Sequence, residues 1–511
     1  MVGNRIRDTA HITSERFILE HLLTEKKALA TNVLMIESDK KPIFNCVPEE
    51  KLGLFRPETA RKAATADTER LKAFRDAGLP EPSFFEAGPR VQLRHDPRCV
   101  RAAIVTTGGL APGLNCVIHS IVKRHCKVYS IDKDIGSIFG VYDSFRGLCT
   151  PPLLLEELDP ETTENWIDQG GSQLGSVRHY HGDPDDKDAL PKMAELIARN
   201  LTLKGIDILY VIGGDGSLKT AHYISQQCPK ISIVGIPKTM DNDILWVWQS
   251  FGFDTAVEQA SRVINVLHSE ADSTRRICVI ELFGAESGFV AANAALASGH
   301  VDAVLIPEVF KALTEQETEP YLDSIINHIA NRIIANRRNN PHAVIVLAEG
   351  VATVLKEKSL SYKGRPVEKR EDFLDMFAGA IHRSVQDARG EYVPVFTNEP
   401  RHHIRAVPAN AHDQIYCERL GALAVDNALA GYRDFMVSQW LTEFVLVPLS
   451  LVEEGKKCIP IHGMFWKQVV CSTGQPLSPA EYPTRASNKP MMEASNDHCK
   501  NSIIGAEASG D

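Results

Sequence analysis

From Arg101 onward, short apolar runs alternate with amphipathic segments, and several of the runs end in a turn dominated by glycine. RAAIVTT (101–107), DILYVIGG (207–214), ISIVGIPK (231–238), RICVIELFG (276–284), AVLIPE (303–308) and AVIVLAEG (343–350) are the main ones. A strand with one face in water alternates apolar and polar residues. A run that is apolar nearly throughout is buried on both faces, which parallel sheets achieve with crossover helices. The intervening GLNCVIHSIVKRH and GFDTAVEQASRVINVLH carry the helical period. The chain is therefore expected to be an open α/β fold with mostly parallel sheets in two lobes.

Outside that rhythm the sequence changes character. Residues 1–97 are expected to be an N-terminal extension, with an amphipathic helix over Pro57–Ala77 stopped by Gly78 and Pro80. GLPEPSFFEAGPR then reads as an extended linker. The stretch after Thr473 is polar and rich in Pro, Ser and Gly, the composition of a loosely ordered tail.

Charge and cysteine usage narrow the functional classes. A formal net charge of -10 argues against a general nucleic-acid binder, which carries a basic stripe. The 11 cysteines are scattered singly with no Cys-x-x-Cys pair, so reduced thiols are expected. The first residues lack an apolar signal core, and no run of about 18 apolar residues exists. No membrane partner and a cytoplasmic location are expected.

In open parallel sheets, ligands bind at the carboxyl ends of strands. The first such turn is Thr107-Gly108-Gly109-Leu110-Ala111-Pro112-Gly113, directly before a helix. Glycines let a backbone approach a phosphate, and a helix N-terminus offers free N–H groups. The turn is neither a Walker A nor a dinucleotide fingerprint. The second is Ile212-Gly213-Gly214-Asp215-Gly216-Ser217. It suits a nucleotide phosphate on bare backbone with Asp215 holding Mg²⁺, or else Asp215 simply caps the next helix. The third is Pro237-Lys238-Thr239-Met240-Asp241-Asn242-Asp243. Its two carboxylates can divide proton abstraction and metal organisation, with Lys238 a candidate cation at the transferred group; the alternative is an Asx-rich turn. Three such loops together favour phosphoryl transfer.

GGLAPG, IGGDGS, PKTMDND, SFGFDTAVEQA, LAEG and IRAVPANAHDQIYC, in this order, resemble the phosphofructokinase family, most of all its long-chain, plant-type ATP-dependent branch. The likeness runs from about Phe85 to Val452. It implies two Rossmann-like lobes, residues 98–251 with 400–452 seating the nucleotide and 252–399 with 453–475 seating the sugar phosphate, and leaves 476–511 as tail. It implies a glycolytic ATP:fructose-6-phosphate 1-phosphotransferase needing Mg²⁺, working as a homo-oligomer with shared active sites.

The same resemblance assigns roles. Asp241 is similar to the base that takes the proton of the sugar 1-hydroxyl, Asp243 supports it, and Asp215 is the Mg²⁺ ligand. Gly108, Gly109, Arg178, His179, Gly214, Gly216 and Ser217 match nucleotide contacts. Thr239, Met240, Phe283, Gly284, Ala285 and Glu349 match positions at the sugar. Arg276, His402 and Arg405 match the cradle of its 6-phosphate, with Arg276 reaching in from a neighbouring subunit. Gly216, where an acid would crowd a nucleotide, points to ATP, whereas Lys238 is shared with pyrophosphate-using members.

Two positions depart from the family. Ala285 stands where an arginine is expected, and Phe396 stands nine residues before Arg405 in place of a second cation. Each lost charge-assisted contact to a phosphate costs about 1.5–3 kcal/mol. Pyrophosphate as donor, because of Lys238, and a catalytically weak sugar-phosphate-binding regulatory subunit, because of Ala285 and Phe396, are the rival expectations.

Overall fold

The both-faces-buried runs do pair side by side and in parallel. The computed structural model describes residues 15–177, 189–335, 341–359, 361–362, 365–390 and 392–479. The chain first builds β1 (Arg61–Ala63), β2 (Ser83–Glu86), β3 (Arg101–Thr106), β4 (Ser137–Val141), β5 (Leu155–Glu157), β6 (Ile208–Gly213) and β7 (Ser232–Pro237). It then makes a second sheet from β8 (Ile277–Leu282), β9 (Ala303–Leu305), β10 (Ala343–Ala348) and β11 (Val395–Asn398). Finally it returns to the first sheet with β12 (Phe435–Trp440) and β13 (Glu443–Pro448).

The larger sheet runs β1-β2-β13-β12-β7-β6-β3-β4-β5. Its middle, from β12 to β4, is parallel, and antiparallel strands close both sides. The smaller sheet, β9-β10-β8-β11, is parallel throughout. Every residue of β6, β7, β8 and β10 is buried. Helices α1 (Leu114–Lys123), α2 (Asp215–Gln227), α3 (Phe253–Thr274) and α4 (Phe289–Ser298) follow β3, β6, β7 and β8.

Strand alternation divides the larger sheet's core into two faces. Ala103 and Val105 of β3 join one cluster with Leu209 and Trp246, while Ala102 and Ile104 join the other with Tyr210 and Val234. The smaller sheet has its own core, which also takes in Ile459 and Trp466 from the C-terminal segment. Ala111 and Met240, from loops of the larger sheet, belong to that second core, so the two lobes meet at these loops. The chain crosses back between Ile404, in the smaller sheet's core, and Ala409, in the larger's.

The N-terminal region differs from expectation in two places. The helix expected over Pro57–Ala77 begins only at Thr68, and residues 61–63 are a strand. Asp67 sets the start, because its carboxylate accepts from the N–H groups of Glu69 and Arg70, both at 3.1 Å. Arg61 is held in the sheet instead, with its guanidinium over the Phe85 ring and bonded to Ser83. The stretch read as a linker holds β2, which pairs with β13. Residues 1–97 thus contribute two strands to the main sheet. Of the tail, residues 480–511 lie outside the described residues.

Candidate active site

Because β3, β6 and β7 are adjacent and parallel, their three glycine-bearing turns emerge side by side. They line one cavity of about 320 Å³. Gly108, Gly109, Gly214, Asp215, Gly216, Ser217, Lys238, Thr239, Met240, Asp241 and Asp243 all contribute to its wall, and Ala285 and Glu286 close it from the second lobe. Gly108 is left-handed (φ +86°), and a Cβ there would stand 3.4 Å from Lys238 Nζ. A Cβ at Gly213 would fall 2.4 Å from that of Ser217, whereas one at Gly216 meets nothing within 4 Å.

The helix-capping alternative for Asp215 does not hold. Gly214 occupies the cap position of α2, no side chain caps it, and Asp215 is already the first helical residue. Its carboxylate instead faces Lys456 Nζ at 3.4 Å. The open first turn of α2 leaves its N–H groups for an anion.

The third turn is held chiefly through its backbone, with Thr239 at its centre. Thr239 Oγ1 accepts from the Asp241 N–H at 3.1 Å and donates to Asp243 Oδ1 at 2.9 Å. Ser250 Oγ donates to the Thr239 carbonyl, and Ser287 Oγ donates to the Asp241 carbonyl at 2.8 Å. Asn242 sits at φ +54°. Its side-chain oxygen accepts from Lys457 Nζ at 2.8 Å, and Lys457 also donates to the Val247 carbonyl at 2.6 Å. Burial pulls the Lys457 ammonium down to about 8. The backbone is thus fixed from four sides, and both aspartates line the cavity wall. Burial pushes the Asp243 carboxyl up, with Lys456 pulling against it. Lys238, itself buried, donates to the Gly109 carbonyl and so ties the third turn to the first.

The donor set suits Mg²⁺. Asp215 and Asp243 both reach a single cation, the Lys456 ammonium, at 3.4 and 3.6 Å. Among the described residues no group of three or more His, Cys, Asp or Glu could hold a metal alone. One or two carboxylates completed by substrate phosphates is the usual Mg²⁺ arrangement.

On the second lobe, the turn after β8 docks on the turn after β10. Glu349 N–H donates to the Leu282 carbonyl and Gly350 N–H to that of Gly284, both at 3.0 Å. Gly284 (φ +135°) admits no side chain, since a Cβ would meet the Ser287 carbonyl at 2.2 Å. Glu349 faces Arg370 at 3.3 Å and Arg401 at 4.0 Å. Arg370 also reaches Glu281 at 3.0 Å and Glu399 at 2.7 Å. Arg405 lies with its guanidinium 5.6 Å from the Phe283 ring.

Other expected residues lie elsewhere. His402 is exposed and lines a separate groove with Val263, Val266 and His403. Arg276 is exposed at the start of β8, about 20 Å of strand from the end that carries Gly284. One chain therefore does not bring either to the cavity. Phe396 packs partly against the second core. Arg178 and His179 lie outside the described residues. The sequence reasoning passed over Glu286, Lys456, Lys457 and Arg370. Only the Lys-Lys pair after Gly455 offers a local signal, and no spacing ties it to the glycine turns.

Burial pushes the Glu281 carboxyl up to about 8, although Arg370 pulls it down. An unfolded glutamate loses its proton near about 4.3. The folded chain therefore keeps a proton that the unfolded chain has lost, and this stability is complete below about 4.3 and gone once pH passes through 8. Glu281→Gln, neutral at every pH, should flatten that decline. Melting temperatures should fall more steeply for the native chain than for the variant between about pH 5 and 7.5. Equal slopes would mean that Glu281 is already ionised at neutrality.

Residues 101–428 match the family described as Phosphofructokinase. An ATP-dependent 6-phosphofructokinase of Borreliella burgdorferi is 35% identical over 410 residues, covering 77% of this chain and 85% of that protein. ATP-dependent 6-phosphofructokinase 5, chloroplastic, of Arabidopsis thaliana is 35% identical over 406 residues, covering 78% of this chain and 71% of that protein. The solved pyrophosphate-dependent phosphofructokinase of Marinobacter aquaeolei aligns with a TM-score of 0.55 at 19% identity. That alignment covers 80% of this chain and 98% of the other, a likeness of fold. With a family match over most of its length and relatives this similar, the chain belongs to the phosphofructokinase family.

Proposed function

We propose that the cavity transfers the terminal phosphoryl group of ATP to the 1-hydroxyl of fructose 6-phosphate. One observation carries this reading: Asp241 and the bare-backbone turn Gly214–Gly216 line the same cavity. The glycine turns and the N-terminus of α2 seat the phosphates, and Lys238 offsets charge at the first and third turns. Asp241 takes the proton of the attacking hydroxyl. Asp215 and Asp243 would hold Mg²⁺, which when bound would offset charge on the phosphate oxygens. The larger-sheet lobe seats the nucleotide, and the smaller-sheet lobe seats the sugar with Glu349 at its hydroxyls.

Two features favour ATP over pyrophosphate. The space beside Gly216 is open, which leaves room for a nucleoside. The relatives at 35% identity are named as ATP-dependent enzymes. Arg276 and His402 belong to a sugar-phosphate cradle only in a homo-oligomer, where Arg276 serves a neighbouring copy. No described helix is long and apolar enough to cross a membrane, and a cytoplasmic enzyme is the reading adopted.

A weak, regulatory subunit is the second reading. Its support is the acceptor side, where Ala285 brings no charge and Arg370 and Arg401 are engaged by Glu281, Glu349 and Glu399. A coupled assay of the purified chain with ATP or pyrophosphate, across several sugar phosphates, separates these readings. Turnover of fructose 6-phosphate with ATP is expected. Turnover with pyrophosphate alone would overturn the donor. Sugar-phosphate binding without turnover on either donor would favour the regulatory subunit.

A further inference from the structure

Lys456 enters the cavity from a segment more than two hundred positions downstream of the second and third glycine-bearing turns. Its backbone forms an antiparallel bridge with Ile244, and the next N–H, of Lys457, donates to the Asp243 carbonyl at 2.9 Å. Lys457 then buries its own ammonium under the third turn. The Lys456 main chain is thus clamped to the turn that carries Asp241 and Asp243, and only its stem can move.

From there the ammonium lies 3.4 Å from Asp215, 3.6 Å from Asp243 and 3.9 Å from Glu286. A committed ion pair closes to about 2.7–2.9 Å. Lys311 does so on the other oxygen of Glu286, at 2.9 Å. Lys456 closes on none of its three partners; it stands between them as an ion stands among ligands. Three carboxylates face the ammonium, and their negative charge favours its positive one. A lysine kept for stability alone would gain little from such loose, partly solvated contacts.

We propose that Lys456 is the resident counter-cation of this carboxylate set, holding the divalent ion's ground until metal and nucleotide arrive and then turning to the phosphoryl oxygens. The inference rests on the reading of the cavity as a nucleotide–metal site. Without ligand, the ammonium keeps Asp215 and Asp243 from repelling each other. A dication that brings phosphate ligands displaces a single charge from shared carboxylates. The displaced ammonium, on a flexible four-carbon stem, stays in the cavity, where the incoming phosphates supply new negative charge.

The test is Mn²⁺ binding to the full chain, read by electron paramagnetic resonance without nucleotide and again with ADP, for the native chain, Lys456→Gln and Lys456→Arg. Lys456→Gln removes the competitor and should bind free Mn²⁺ about tenfold more tightly, while Lys456→Arg should bind it like the native chain. With ATP, Lys456→Gln should lose at least about tenfold in kcat with little change in KM, and Lys456→Arg should recover part of the loss. Free Mn²⁺ affinity that is unchanged or weaker in Lys456→Gln overturns the proposal, whatever kcat does. If no form binds Mn²⁺ even with ADP, the nucleotide–metal reading itself has failed, and the proposal with it. Should the glutamine variant not fold, amine labelling of the native chain decides: the labelling rate at Lys456 should differ between ADP alone and ADP with millimolar Mg²⁺, and equal rates overturn the proposal.

Discussion

Asp241→Ser is expected to lower kcat by roughly 10²-fold or more while leaving the fold and nucleotide binding intact. That loss corresponds to about 2.7 kcal/mol of transition-state stabilisation. The expectation of an intact fold comes from how the turn is held. Thr239 binds the main-chain N–H of residue 241, and Ser287 binds its carbonyl. Both bonds are to backbone and survive the substitution. The neighbouring Asp243 keeps its contacts to Thr239 and Lys456. The variant therefore removes the proton acceptor while keeping the backbone bonds that shape the turn. Steady-state kinetics beside circular dichroism and ADP titration make the measurement, and a near-normal kcat would remove Asp241 from the base role.

The second large effect is expected at Gly216. Gly216→Asp should fold as well as the native chain, because a Cβ there meets nothing within 4 Å. A carboxylate in the first turn of α2 also faces the positive end of the helix, which favours rather than penalises it. Function should suffer instead. The new charge would stand next to Asp215, at the backbone proposed to carry the phosphates, and repel them. The KM for ATP should rise by about tenfold to a hundredfold, which corresponds to about 1.4–2.7 kcal/mol. Gly213→Ala makes the contrast, since its Cβ would collide with that of Ser217 at 2.4 Å and should lower the melting temperature. An unchanged KM for ATP in a well-folded Gly216→Asp would place the nucleotide somewhere other than this turn.

What could be read from the sequence was what is local. An apolar run followed by glycine and an amphipathic segment specifies a buried strand, a tight turn and a helix within about thirty residues. The three turns therefore declared themselves, and parallel pairing of β3, β6 and β7 made them neighbours. The N-terminal strands did not, because strands of three and four residues, such as Arg61–Ala63, leave too short a pattern. The helix expected from Pro57 onward had helical composition, but Asp67 caps the chain later and Arg61 finds its partners in the sheet. Lys456 and Arg370 were out of reach for a different reason. Each is an ordinary charged residue in its own segment and becomes part of a site only when the fold brings distant carboxylates to it. Arg276 shows the converse: it was assigned by resemblance to a neighbouring subunit's site, and within a single chain it stands at the end of β8 away from the cavity.

The edge formed by β1 and β2 has a bearing on how the polypeptide is made. Phe85 and Glu86 pair with Leu446 and Val445, about 360 residues further on. Ribosomes add about 5–20 residues per second, so Phe84 and Phe85 wait roughly 20–70 s for the strand that receives them. Until then Phe84, fully buried in the finished protein, can meet only part of its native surroundings, such as the Trp246 ring. Biosynthesis thus passes through a window in which the earliest-made strands depend on chaperones or on speed, and slow translation of the final hundred residues is the condition under which this chain should aggregate most.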